Sequence, residues 1–137
     1  MKKTSIAAIL FAIAMMVVAP AAQATTVTEV QAMITQLKGK VEVVTLSSKQ
    51  ADKDRAGLLG KLDSITLTLD QGKFCDAVKK TQDFQAKVNQ LIAADAKINQ
   101  DPALGVTAQE LIADADAIIK ALNELQVQST GGVACTF

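Results

Sequence analysis

The sequence has no His, no Trp and no Tyr, and four Phe are its only aromatics. Without His, Ser-His-Asp and Cys-His mechanisms are excluded, as is any site built on imidazole ligands. Four Phe are a poor supply of stacking platforms for bases. Excess positive charge is also missing. Fourteen Lys plus Arg balance fourteen Asp plus Glu, whereas a general nucleic-acid binder is markedly basic. Cys-x-x-Cys is absent, and so is any Gly-rich phosphate loop. We therefore expect no catalytic residue, no cofactor and no metal site.

Residues 1–24 have the pattern of a secretory signal peptide. Lys2 and Lys3 form a positive start, Ile6 to Ala19 is an uncharged apolar run, and Ala22-Gln23-Ala24 follows Pro20. Small residues at Ala22 and Ala24 suit cleavage after Ala24. An N-terminal membrane anchor is the competing reading, but the run is short against the ~20 residues a bilayer core requires. Lys2 and Lys3 leave with the leader. The remaining 113 residues, Thr25–Phe137, then hold 12 basic and 14 acidic side chains, a net charge of −2. The expected organisation is a cleaved leader at 1–24, a helical-bundle domain at 25–128 and a tail at 129–137. No further apolar run is long enough to span a membrane, so the expected location is the periplasm or the exterior.

Helical periodicity covers the rest. Val27, Val30, Ile34, Leu37, Val41 and Val44 advance in steps of three and four, one stripe of an α-helix. Thr26 and Glu29 fit a capping box at its start. Its end is ambiguous, since Val41, Val43, Val44, Thr45 and Leu46 favour strand geometry. Helix is preferred there because no second strand stands ready to pair. A second stripe runs Ala51, Arg55, Leu58, Leu62, Ile65, Leu69, with Arg55 expected to stretch toward water. Ser47 with Gln50 suggests another capping box. Gly57 and Gly60 mark either a close helix approach or a tolerated propensity cost. Gly72 should end this helix in the left-handed conformation. The third stripe is Phe74, Ala77, Thr81, Phe84, Val88 and Leu91, close enough behind Gly72 to make an antiparallel hairpin. A loop follows around Asn99–Pro102. The fourth helix opens on a Thr107–Glu110 capping box with a Val106–Leu111 staple, and continues through Ala115, Ile118, Leu122 and Leu125. The fold class predicted is all-α, a small antiparallel bundle of about four helices with negligible strand.

An exported chain with two cysteines most simply joins them. A Cys75–Cys135 bridge would tie the C-terminal tail to the third helix. The loop it closes is about 60 residues, for which chain entropy gives roughly 4 kcal/mol as an upper figure. Unpaired, intermolecular or redox-active thiols are the alternatives.

Several polar groups invite a chemical reading. Glu110, Asp114 and Asp116 share the fourth helix, but di-metal bundles also need Glu-x-x-His, so a solvated face is expected. Asp95, Asn99 and Asp101 offer oxygens to Ca²⁺ without the glycine and terminal Glu of an EF-hand. Lys79, Lys80 and Lys87 are balanced by Asp76 and Asp83 and read as ion pairs. Lys61, Asp63 and Ser64 hold the ingredients of Ser-Lys chemistry without an obvious geometry. Val43, Val44, Leu46, Val133 and Phe137 exceed what one helix face needs. Either the tethered tail covers them, or they form a partner groove or homodimer seam.

The order of features in helices two to four resembles a known module. Leu58-Leu59-Gly60-Lys61-Leu62 leads through Gly72 to Ala77, Phe84 and Val88. The sequence then reaches Leu111-Ile112-Ala113-Asp114-Ala115-Asp116-Ala117-Ile118-Ile119. This is similar to the FIMAH-type helical module of bacterial secreted and surface proteins, over about residues 58–122. The resemblance implies a helical fold with no catalytic motif and an accessory, spacing or interaction role. The function expected is thus that of an exported, non-enzymatic bundle with a protein partner, as monomer or homodimer. An inhibitor or immunity-type protein acting on a secreted enzyme is the alternative.

Overall fold

The computed structural model describes residues 25–94 and 97–136. The leader, with its cleavage position at Ala24, lies outside the described residues. Four α-helices follow one another: α1 at Val27–Val43, α2 at Ala51–Asp70, α3 at Phe74–Ala93 and α4 at Ala108–Thr130, with a short 3-10 turn at Pro102–Leu104 before α4. Each helix packs on two neighbours, in the ring order α1, α2, α3, α4 and back to α1.

Side-chain pairs fix the sense of the packing. Gln31 donates to Asp70 while Lys38 reaches Asp63, so α2 numbers fall as α1 numbers rise. Lys80 meets Ser64 and Lys87 meets Asp54 between α3 and α2 in the same inverse order. The result is an up-down-up-down bundle, as short connections between amphipathic helices require.

Each stripe delivers its residues to one core. Val30, Ile34, Leu37, Leu58, Leu62, Ile65, Phe84, Val88, Leu111, Ile118 and Leu122 are all fully buried. Thr68 and Thr81 are buried too, and each hydroxyl donates back to its own helix, to Ser64 O and Ala77 O at 2.8 Å. That bond removes the cost of an unmet polar group in an apolar site.

The helix ends show which local signals operate. Thr107 and Glu110 form the reciprocal capping box, and Thr26 accepts from Glu29 N. Gly72 takes φ +73°, and the Lys73 and Gly72 N–H groups turn back to Thr68 O and Leu69 O. This Schellman closure satisfies carbonyls that would otherwise be orphaned and sets up the tight α2–α3 turn.

Two expectations fail at the α1–α2 connection. First, α1 stops at Val43, and Val44 is extended at φ −62°, ψ 135°. Leu46 then makes an isolated antiparallel bridge with Ile98, held by Ser47 N to Lys97 O and Asn99 N to Thr45 O, both 2.9 Å. The strand-favouring run found a partner after all, in the loop before α4. No longer strand exists among the described residues. Second, Ser47 and Gln50 form no capping box, and α2 begins without a side-chain cap. Ser47 is committed to the bridge, and Ser48 instead donates to Asp54 at 2.9 Å.

Gly57 and Gly60 are exposed, and a Cβ built on either meets nothing within 4 Å. They mark no close approach. Gly57→Ala and Gly60→Ala should therefore each stabilise the protein by about 0.5–1 kcal/mol through helix propensity. Urea unfolding of the two variants checks this, and a loss of stability would show a contact that the packing does not contain.

Candidate functional site

Cys75 in the first turn of α3 is bonded to Cys135, with Cα atoms 5.4 Å apart. The tail is otherwise lightly held. The Thr130 hydroxyl donates back to Gln126 O at 2.7 Å and accepts from Val133 N at 3.0 Å, while Val133 itself is 60% exposed. The tail lies at the end of the bundle where α2 turns into α3. Val43, Val44 and Leu46 lie at the opposite end, so the tail does not cover them. Val44 is buried by the core and Leu46 is half-buried beside Ile98, whereas Val43 stays 68% exposed. Phe137 falls outside the described residues.

The three carboxylates of α4 have separate tasks. Glu110 caps its own helix, Asp114 pairs with Lys40 of α1 at 2.8 Å, and Asp116 accepts from Gln85 of α3 at 2.6 Å. The Asp114 hydrogen bond raises Lys40 above the ordinary lysine value, against a smaller opposing push from burial. Because the folded value is raised, that contribution is present at neutral pH and fades only as alkali titrates the ammonium. No group of three acidic or thiol ligands that could hold a metal occurs among the described residues.

The Asn99 and Asp101 side chains serve a turn, in which Asn99 Oδ1 accepts from Asp101 N at 3.0 Å. Asn99 Nδ2 donates to Asp101 O and Val106 O, and the Asp101 carboxylate caps the 3-10 turn through Ala103 N. Asp95 is outside the described residues. The lysines of α3 do not pair along their own helix with Asp76 and Asp83. Lys80 crosses to Ser64 Oγ at 2.8 Å, and Lys87 approaches Asp54 at 3.7 Å. The packing of α3 on α2 puts those groups within reach, and an exposed ion pair along a helix is worth too little to compete. Lys80, rather than Lys61, therefore meets Ser64, while Asp63 points away to Lys38. The Lys80 ammonium donates to the hydroxyl, the reverse of a base accepting its proton.

Where the α1–α2 loop meets the end of α3, an open cleft of about 520 Å³ is present. Lys49, Lys87 and Lys97 line it with Ser48, Gln50 and Gln90, and Asp54 is its one acidic lining residue among the described residues. Asp54 is already engaged by Ser48 and Lys87. The described lining thus presents net positive charge on an otherwise balanced chain. Such a site attracts carboxylates and other anions. Sequence reading missed it because Lys49 and Lys97 stand in separate loops, and only the Leu46–Ile98 bridge brings those loops together. Around the same bridge, a shallower groove is lined by Thr45, Ile98 and Leu104, with Leu104 70% exposed.

No helix among the described residues is long and apolar enough to cross a membrane. No family model, curated protein or solved structure matches this chain.

Proposed function

We propose that the protein is an exported, non-enzymatic helical bundle that serves an accessory role by binding a protein partner, in the periplasm or outside the cell. The lysine-lined cleft is the observation that carries this reading. It is the place where several like charges converge from three chain segments, and it suits an acidic segment of a partner protein. Export is supported by the leader-like residues 1–24 and by the Cys75–Cys135 bond, which persists in oxidising compartments. The FIMAH-like order of features agrees with an accessory role, and that support is analogy at the level of fold.

Charge reversal tests the reading. The double variant Lys49→Glu/Lys97→Glu alters two exposed or half-buried loop side chains outside the core. It should keep the thermal stability of the parent. It should weaken capture of the envelope partner at least about tenfold, with the parent's binding falling as salt rises. Equal capture by parent and variant would remove the cleft from the account. Recovery of an exported hydrolase whose activity falls on binding would turn the accessory role into inhibition.

A further inference from the structure

Thr25 is the first described residue, and it is docked. Its hydroxyl donates to the Glu124 carboxylate of α4. With the Gln128 amide turned to satisfy both partners, its nitrogen donates to Thr25 O at 3.1 Å and its oxygen accepts from Thr25 N at 3.3 Å. Glu124 and Gln128 are one turn apart, so a single face of α4 receives every polar group of Thr25.

We propose that hydrolysis of the Ala24–Thr25 bond completes the fold, because the ammonium it leaves on Thr25 is received by Glu124 and Gln128 and clamps the start of α1 to the end of α4. The proposal rests on the reading of residues 1–24 as a leader. The step consumes one water; Ala24 keeps a carboxylate and Thr25 gains the amine. In the uncut chain the Thr25 nitrogen has one hydrogen, which the Gln128 oxygen takes. In the cut chain it has three and a positive charge. The Glu124 carboxylate, already bonded to the hydroxyl of the same residue, is the anion the clamp offers the other two.

The surrounding charges favour the ammonium. Glu124 faces it from α4, Glu29 lies in the first turn of α1, and Asp70 at the end of α2 is held by Gln31. Asp76 lies in the first turn of α3, and Lys120 one turn before Glu124, Lys73 in the α2–α3 turn and Lys79 in the second turn of α3 are the cations toward this end. The positive N-terminal end of α1 opposes the charge, while the carbonyl end of α4 supports it. The tail residues 131–136 carry no charged side chain.

The test uses the oxidised chain from Thr25 to Phe137, with a free amine and with the same amine acetylated, each also carrying Glu124→Gln. The free amine should titrate about half a unit above the ~7.7–8.0 of an unperturbed terminus. At pH 6 the free form should melt roughly 3 °C above the acetylated form. A folded value raised above the unfolded one means that the gap is whole below about pH 7.7 and closes as the pH climbs through the folded value. Glu124→Gln should abolish both the shift and the gap. Equal melting of free and acetylated forms at pH 6, or a gap that survives Glu124→Gln, overturns the clamp. N-terminal sequencing of the exported protein tests the premise separately, and any start other than Thr25 overturns the proposal there whatever the melting curves show.

Discussion

Arg55→Ala should destabilise the protein by about 2–3 kcal/mol, far more than an ordinary surface substitution. The reason is where the guanidinium goes. Arg55 interrupts the apolar stripe of α2, and the sequence suggests that it stretches into water. Instead its Nη1 turns toward the end of α1 and donates to Val41 O at 2.6 Å, Glu42 O at 2.9 Å and Val44 O at 3.0 Å. The last carbonyls of a helix have no partner within it. One charged group satisfies two of them and a third just past the helix, and its positive charge complements the negative end of the helix dipole. Hydrogen bonds to a charged donor contribute ~1.5–3 kcal/mol each, and three acceptors sharing one nitrogen do not sum fully. Arg55→Lys should recover less than half, since its side chain is one bond shorter and its ammonium stops short of the carbonyls that Nη1 reaches. Urea unfolding measures both variants. A loss under about 0.5 kcal/mol, the size of an ordinary surface substitution, would mean that water replaces the guanidinium without penalty.

Removing the disulfide should cost about 2 kcal/mol, half of what loop length alone suggests. Closing a loop of 60 residues in the unfolded chain would stabilise by ~4 kcal/mol if the reduced native state held its cysteines together anyway. It does not. Beyond Thr130 the described tail is held by the Gly131 and Gly132 N–H bonds back to Val127 O, the contact of Val133 N with the Thr130 hydroxyl and the partial burial of Cys135, and none of these grips the chain past Val133 except through Cys135 itself. Once reduced, Cys135 wanders in the folded protein as well, over a tether of about half a dozen residues. The relevant ratio is then roughly 60 to 6, and (3/2)RT ln of that ratio is ~2 kcal/mol. Cys75→Ser/Cys135→Ser should accordingly lower the melting temperature by roughly 8 °C while leaving the helical content intact. A drop twice as large would show that the tail is packed far better than its contacts imply.

These two cases also show what the sequence could and could not convey. The apolar periodicity of each helix named the buried residues almost one for one, because a stripe at steps of three and four has one way to meet a core. The Thr107–Glu110 box and Gly72 were legible because their partners are three to five residues away. The Cys75–Cys135 bond was legible because only two cysteines exist. What stayed hidden depends on register between distant segments. Nothing local announces that Arg55 ends opposite Val41 and Glu42, or that Leu46 finds Ile98. The lysine-lined cleft was hidden for the same reason: its charges lie in three segments that acquire a common surface only after the bundle has formed. The Ser47–Gln50 box failed because a long-range bridge outweighed a local signal of comparable strength.

The ring order of the helices has a further consequence for the way the chain comes together and apart. Between α2, α3 and α4 every interface joins neighbours in sequence, and α3 with α4 and α2 with α3 share the broadest contacts. The α1–α4 interface is narrower and links positions as distant as Thr25 and Glu124, 99 residues apart. Short-range hairpins form before long-range closures, since less chain entropy is lost in making them. Helix α1, held by the two narrower interfaces, is therefore expected to dock last and to lift away first. In that partly opened form its Val30, Ile34, Leu37 and Val41 leave a trough between α2 and α4, a transient apolar seat that a second chain could occupy by offering its own α1.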